Sequence, residues 1–283
     1  MPKALEWDKT GERDIETGIS KTVLYPMTSG NYNAGVAWNG VTGITESPDG
    51  AEPNDFYADN IKYASMRSAE TFGATVEAFT YPDEWELCDG SAEPASGVFV
   101  GQQNRTPFGL CYRTEVKNDT HSENDDGYKL HFIYNATASP SERAYETIND
   151  SPDAMTMSWE LDTTPISIDG HPELKKTAHI IIHSKKADAA KLAALERILY
   201  GTDGEDAVET TYKAAPSTYD PSLRYFTRTG EGTELSPYVY TEVTISEYES
   251  GVEYFVIDVE GHAAIPAADA RLPLPGELIS LMA

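Results

Sequence analysis

FGLCYRTEV at residues 108–116 and YKLHFIY at residues 128–134 are the two stretches of sequence that decide the fold. Both are rich in aromatic and β-branched residues, which are enriched in strands. The acidic run 118–127 between them has the polar, turn-forming composition of a loop. The two stretches are therefore predicted to form a hairpin.

Segments 75–81, 154–162 and 177–184 have the same texture and are predicted strands. Residues 187–200 have helical periodicity instead, with one apolar face made of Leu192, Leu195, Ile198 and Leu199. Ser184 or Asp188 can cap the start of this helix, and Gly201 lies where a left-handed C-terminal cap is expected. The sequence predicts a mainly β fold of the α+β class, a sandwich or partly closed barrel with one flanking helix.

The composition changes after Gly204, where Tyr, Thr and Glu become more frequent. Short strand candidates at 225–226, 238–240 and 254–257 indicate a small β-rich module. We therefore expect one domain at 1–204, completed by 269–283, and an inserted module at 205–268. The apolar stretch 271–282 is expected to pack back on the first domain.

Acidic residues dominate the charge: 47 Asp and Glu against 21 Lys and Arg give a net charge of −26. This surplus argues against tight, sequence-independent binding to nucleic acid phosphates. Exposed charges interact over only about 8 Å at physiological salt, so the acids could act on DNA only if they are concentrated on one surface. No stretch approaches the roughly 18 apolar residues of a membrane span, and Cys88 and Cys111 are expected to be free thiols in a cytosolic environment.

No group of residues points to catalysis, a cofactor or a metal. His179 and His183, the most closely spaced histidines, lie about 13 Å apart if their segment is a strand, which is too far for one ion. The acidic loop 119–127 fails the calcium-loop pattern, because Ser122 and Ile133 would occupy ligand positions. The common hydrolase, phosphate-loop and metalloprotease motifs are missing from the sequence. We therefore predict a protein that is not an enzyme.

Residues 51–63 read as an irregular polar loop that nevertheless carries Phe56, Tyr57, Ile61 and Tyr63. Such a loop either folds against its own domain or binds another molecule.

Many short segments of this sequence, taken in order along the chain, resemble segments of the major tail tube proteins of long-tailed bacteriophages (siphophages). The resemblance covers about residues 15–204 and 271–282, and the inserted module at 205–268 departs from it. The segments that carry the resemblance are YPMTSG (25–30), YNAGVAWNG (32–40), GITESPDG (43–50), NDFYADNIKY (54–63), FGATVEAF (72–79), YPDE (81–84), FGLCYR (108–113), ATASP (136–140), WE (159–160), KLAALE (191–196), LYGTDG (199–204) and RLPLP (271–275).

The resemblance implies a structural virion protein that forms hexameric rings, whose inner strands join into one lumen barrel and which stack into a tail tube. Its implied partners are further copies of itself, the tape measure protein, and the tail terminator and distal tail proteins, with no membrane. Assembly would occur in the host cytoplasm. DNA would pass through the lumen during genome ejection without specific binding. Joining edge strands between subunits would also remove exposed sheet edges.

Within this family expectation, Glu77, Glu160 and Asp162 are candidate lumen-facing acids, although each could face outward. The segment 43–63 is the candidate arm that crosses to a neighbouring subunit or ring, with Phe56, Tyr57, Ile61 and Tyr63 as its anchors. Two alternatives stay open. The tyrosine-rich module could make the chain an adhesin or carbohydrate-binding protein on the virion surface, or the chain could be a tube subunit of a contractile injection system.

Overall fold

The computed structural model describes residues 4–50, 52–120, 127–145, 147, 154–204, 206–233, 236–261, 264 and 266–283. The chain divides into two compact units. The first consists of Met1–Gly201 and Asp269–Ala283, and the second is Thr202–Ala268, which contains the predicted module at 205–268.

The first unit is built mostly of strands. Its elements within the described residues are β1 (Asp14–Thr28), β2 (Asn31–Tyr32), β3 (Val36–Ala37), β4 (Val41–Asp49), β5 (Pro53–Ala58), β6 (Ile61–Arg67), β7 (Thr71–Ala78), α1 (Trp85–Asp89), β8 (Ala92–Ala95), β9 (Val98–Val100), β10 (Phe108–Asn118), β11 (Gly127–Ala138), β12 (Met157–Thr163), β13 (His179–His183), α2 (Ala189–Tyr200) and α3 (Pro275–Met282).

The main sheet has the strand order β2-β1-β10-β11-β12-β7-β4, with β3 paired to β1 and β13 paired to β11. Its described strand pairs are antiparallel, and the sheet is open, with β2 and β4 at the two ends of this order. The mainly β fold with a flanking helix is therefore confirmed, as an open, sandwich-like arrangement. None of the described helices has both the length and the hydropathy needed to cross a bilayer.

Strands β10 and β11 form the predicted hairpin, with Val116 paired to Gly127 and Cys111 paired to Phe132. The acidic loop between them, predicted as a hairpin loop and not a calcium site, falls largely on residues 121–126, outside the described residues. Cys111 and Cys88 are both buried free thiols, as predicted. Burial raises the pKa of the Cys88 thiol to about 12.

Two apolar cores lie on opposite faces of the central strands. The first contains three tryptophans, and the Trp38 and Trp85 ring centroids are 4.5 Å apart, while those of Trp85 and Trp159 are 5.3 Å apart. The second lies under α2 and α3, where the Tyr25 hydroxyl donates to the carbonyl of Leu199 at 2.7 Å. Leu272 and Leu278 are buried in this second core, so the apolar C-terminal stretch packs on the first unit as predicted.

The ends of helix α2 agree only partly with expectation. Asp188 caps its start by accepting hydrogen bonds from the backbone N–H groups of Ala190 and Lys191, both at 3.0 Å. The predicted left-handed cap at Gly201 is wrong, because Gly201 has φ 77° and ψ 177°. Its ψ is extended because the chain continues into Thr202, which pairs with Ala268 in an antiparallel bridge.

Within the segment 51–63, the described residues 53–63 are not an irregular loop. They form most of a hairpin in which β5 pairs with β6, and Ala58 faces Ile61 across the turn. The two turn residues, Asp59 and Asn60, both have positive φ values, of 50° and 61°. Positive φ at both central positions is typical of a type I′ turn, which matches the twist of the flanking strands.

The second unit contains four described strands, β14 (Thr211–Ala214), β15 (Tyr225–Thr229), β16 (Val239–Val243) and β17 (Phe255–Val259), in the order β14-β17-β15-β16. Tyr225, Tyr254 and Val256 form its small core. The two ends of the unit are hydrogen-bonded to each other: Thr202 N–H donates to the Ala268 carbonyl at 2.8 Å, and Ala268 N–H donates to the Thr202 carbonyl at 3.0 Å.

Replacing residues 202–268 by a four-residue Gly-Ser linker should leave the first unit folded. Paired antiparallel residues have Cα atoms only about 5.5 Å apart, so a short loop can join the remaining ends. We expect the free energy of unfolding of the first unit to change by no more than about 1 kcal/mol. Urea denaturation followed by tryptophan fluorescence measures this change, and loss of the near-UV circular dichroism of the buried tryptophans would contradict it.

Candidate functional site

One exposed face of strands β12, β7 and β4 carries the three acids that were predicted to line a lumen. Ser158 pairs with Glu77 and Glu160 pairs with Thr75, and residues paired directly across antiparallel strands share a face. Asp162 follows Glu160 by two positions and therefore lies on the same face. All three acids are exposed. The structure brings them together, and their position at a lumen stays a prediction.

The remaining positions of this face are small, hydroxylic or acidic. We call it the acidic face. In the described pairing it comprises Gly43, Thr45, Ser47, Asp49, Thr71, Gly73, Thr75, Glu77, Ser158, Glu160 and Asp162, none of which is Lys or Arg. The net charge of this surface is therefore negative, with no base among these positions to bind a phosphate.

The β5–β6 hairpin presents large apolar side chains to solvent, and we call it the apolar arm. Tyr57 is 71% exposed and Tyr63 is 74% exposed. Phe56 and Ile61 are exposed as well. None of the four belongs to an apolar core of the described residues, and exposed apolar surface can mark an interaction site.

A cluster of histidines and carboxylates lies inside the first unit, and its residues are far apart in the sequence. His131 of β11 and His179 of β13 lie diagonally across the same face of two paired strands, because His131 pairs with Ile181 and Ile133 pairs with His179. Their ring centroids are 5.8 Å apart. The sequence analysis compared His179 with His183 on its own strand, whereas the histidine that lies beside His179 is His131 of the neighbouring strand.

Glu46 of β4 reaches both rings with a single carboxylate oxygen. Its Oε1 lies 3.1 Å from His131 Nδ1 and 3.2 Å from His179 Nε2. The Tyr112 hydroxyl donates to the same oxygen at 2.6 Å. The neighbouring His131, followed by His179, holds the pKa of the Glu46 carboxyl well below its usual range, despite the opposing effect of burial.

A second carboxylate binds the far side of His131. His131 Nε2 lies 3.2 Å from Glu16 Oε1, to which the Thr114 hydroxyl donates at 2.5 Å. The Lys129 ammonium binds the other oxygen of Glu16. Burial alone would raise the pKa of Glu16, but the hydrogen bonds from Lys129 and Thr114 outweigh it and lower the pKa.

Aromatic rings fix the orientation of both imidazoles. Tyr112 stacks on His131 with ring centroids 4.7 Å apart and an interplanar angle of 8°. Phe72 stacks on His179 at 4.5 Å and 16°. His131 is only 6% exposed, whereas the side chains of Glu46 and Glu16 are 31% and 35% exposed, so the cluster reaches from the interior to the surface.

The tyrosines of the second unit mostly contact one another. Tyr212 stacks on Tyr240 at 4.0 Å, and Tyr219 stacks on Tyr225 at 5.4 Å. The Tyr219 hydroxyl also donates to the carbonyl of Ile245 at 2.9 Å. These contacts account for the tyrosines as internal packing, and the carbohydrate-binding alternative stays a prediction.

The change Glu46→Ala should lower the free energy of unfolding by about 1–3 kcal/mol, because the Tyr112 hydroxyl and His131 lose their acceptor in a largely buried place. The matched control, Glu77→Ala, removes an exposed acid from the neighbouring strand and should change it by less than about 0.5 kcal/mol. Urea denaturation in the presence of EDTA compares the two variants. Equal stability losses would show that the Glu46 contacts contribute nothing specific.

A scan against models of known protein families found no match for this chain, and a search of curated proteins found none either. Support for a function therefore comes from the sequence segments quoted above and from three features of the structure: the acidic face, the apolar arm and the histidine–carboxylate cluster.

Proposed function

We propose that this chain is a structural subunit that assembles into hexameric rings, which stack into a tail tube through which DNA passes. It would thus act as a major tail tube protein in the virion, with other tail proteins as partners. The observation that carries the proposal is the apolar arm. Its tyrosine rings, Tyr57 and Tyr63, are more than 70% exposed within the described part of the chain, and they suit burial against another subunit.

Strand β4 offers a place for subunits to join. It is nine residues long and lies at one end of the described strand order. An edge strand presents unpaired backbone groups, and pairing with a strand of the next subunit would satisfy them. In a closed ring of such pairs the acidic faces of successive subunits would become continuous, which supports a lumen on this side.

The arm lies in the chain between β4 and β7, as a two-stranded sheet of its own. Asp49 at the end of β4 pairs with Thr71 at the start of β7, and the β5–β6 hairpin lies between these two positions in the chain. Tyrosine and phenylalanine are enriched at the buried centres of protein interfaces, where single aromatic side chains contribute most of the binding free energy. We therefore assign the arm to contacts between subunits or between rings.

The double change Tyr57→Ser and Tyr63→Ser should prevent or strongly weaken assembly without unfolding the subunit. Loss of two interface aromatics costs about 2 kcal/mol or more each, which is over tenfold in affinity per side chain. Sedimentation velocity and negative-stain microscopy measure assembly, and thermal unfolding checks the fold.

The control for this experiment is Tyr145→Ser, which removes a tyrosine that is 78% exposed elsewhere on the first unit and should leave assembly unchanged. Tubes formed as efficiently by the double variant as by the wild type would refute the role of the arm. A wild-type chain that stayed monomeric at every concentration, also with tail-completion partners, would count against the tube itself.

The acidic face suits a wall past which DNA must slide. Double-stranded DNA carries one negative charge per about 1.7 Å of its axis, and bases on the wall would create sites that hold it. Acids within about 8 Å of the DNA repel it at physiological salt. Glu77, Glu160 and Asp162 are the residues to which we assign this repulsion.

Neutralising the face with Glu77→Gln, Glu160→Gln and Asp162→Asn should slow genome ejection and leave tube assembly intact. The reason is that repulsion from the wall is lost while no buried contact is removed. Ejection is followed with a DNA-binding dye after receptor addition, and the slowing should be larger at low ionic strength. Tubes are counted by electron microscopy.

The matched control neutralises three exposed acids of the second unit, with Glu231→Gln, Glu247→Gln and Glu249→Gln, and changes the net charge by the same amount. This control should eject DNA at the wild-type rate. If both triple variants eject at the same reduced rate, total charge rather than the acidic face is responsible.

A further inference from the structure

The histidine–carboxylate cluster has no role in the tube proposal. The spacing of its nitrogen and oxygen atoms resembles that of the ligands around a metal ion. Glu46 Oε1, His131 Nδ1 and His179 Nε2 come from three different strands, and they all lie within 4.8 Å of one another. The two carboxylate–imidazole distances are 3.1 and 3.2 Å. Neighbouring ligand atoms of a tetrahedral zinc ion are about 3.3 Å apart when the metal–ligand bonds are about 2.0 Å long.

Hydrogen bonds pair two of these three atoms, Glu46 Oε1 and His131 Nδ1, and leave His179 Nε2 without one. The carboxylate oxygen has two lone pairs, yet Tyr112, His131 and His179 all approach it. Nε2 of His179 is buried and makes no hydrogen bond to any described residue, although it lies 3.2 Å from Glu46 Oε1. Buried polar atoms are nearly always paired, so this nitrogen lacks a partner that the site could hold.

The surroundings of His131 are those of a metal ligand. A histidine that binds a metal through one ring nitrogen usually donates the N–H of the other nitrogen to a carboxylate. Here Nε2 of His131 faces Glu16, which leaves Nδ1 to face Glu46 and the centre of the cluster. Glu46 is itself held by the Tyr112 hydroxyl. The stacked rings of Tyr112 and Phe72 fix both imidazole planes.

We propose that Glu46, His131 and His179 bind one divalent transition-metal ion, with Zn²⁺ as the best match to two imidazole nitrogens and one carboxylate oxygen. Binding would draw the two imidazole nitrogens, which lie within 4.8 Å of each other, to the tetrahedral spacing of about 3.3 Å, and a water molecule would complete the tetrahedron. Of the three ligands, His179 also lines a cleft of about 250 Å³ that is open to solvent. Because its ligands lie on β4, β11 and β13, the ion would link the strand bearing part of the acidic face to the centre of the sheet.

The test uses the full-length chain, treated with EDTA and then dialysed. Titration with Zn²⁺ by calorimetry should show one high-affinity site per chain. Co²⁺ at the same site should give the visible absorption of a tetrahedral complex. Zn²⁺ should also raise the Tm of the wild-type chain, since a ligand that binds only the folded state stabilises it.

Two separate variants, Glu46→Gln and His179→Gln, should each weaken Zn²⁺ binding at least tenfold and abolish the Tm increase. The matched control is His183→Gln, which removes another histidine from the same strand and should bind Zn²⁺ as the wild type does. Circular dichroism verifies folding, and if one ligand variant fails to fold, the other decides. The site is refuted if the wild type binds no Zn²⁺ at low micromolar concentration, if both ligand variants bind it normally, or if His183→Gln loses as much affinity.

Discussion

Strand β11 must bury both of its faces, and the rest of the first unit follows from that constraint. Successive side chains of a strand point to opposite sides, so Leu130, Phe132 and Tyr134 face α2 and α3, while Ile133 faces the tryptophan core. One strand thus holds two separate cores in place. His131 occupies an inward position in the same alternation, and a polar ring there needs polar partners from the strands around it.

The sequence predicts the parts of this fold whose evidence is local. The β10–β11 hairpin and helix α2 have clear periodicity, and both are present close to their expected limits. Strand β1 was not predicted. Its backbone has positive φ at Gly18 and Lys21, where its pairing with β10 shifts register, so its apolar and polar side chains do not alternate regularly along the sequence. The apolar arm was predicted as a loop, because its turn is formed by Asp59 and Asn60 rather than by the Asn-Gly pair that makes such turns recognisable.

The candidate sites also differ in how far local sequence could predict them. The acids of the acidic face could be predicted from the alternation of polar and apolar residues within each strand. The observed strand pairing then places Glu77, Glu160 and Asp162 on the same face of the sheet. The cluster of Glu46, His131 and His179 could not be found this way, because it depends on which strands become neighbours. A histidine in the middle of the apolar run YKLHFIY was the one local indication. Its partners lie 85 positions before it at Glu46 and, at His179, on a strand paired to its own.

The apolar arm is inserted in the chain between two strands of the acidic face, although β5 and β6 form a two-stranded sheet of their own. The chain passes from β4 into the arm and returns from the arm into β7, and these two strands carry most of the acidic face. An extended strand of six residues is about 20 Å long. Both connections of the arm enter strands that bear the acids, so a subunit that held the arm would also restrain the ends of those strands. This gives the molecule a covalent connection between its candidate contact surface and its charged surface.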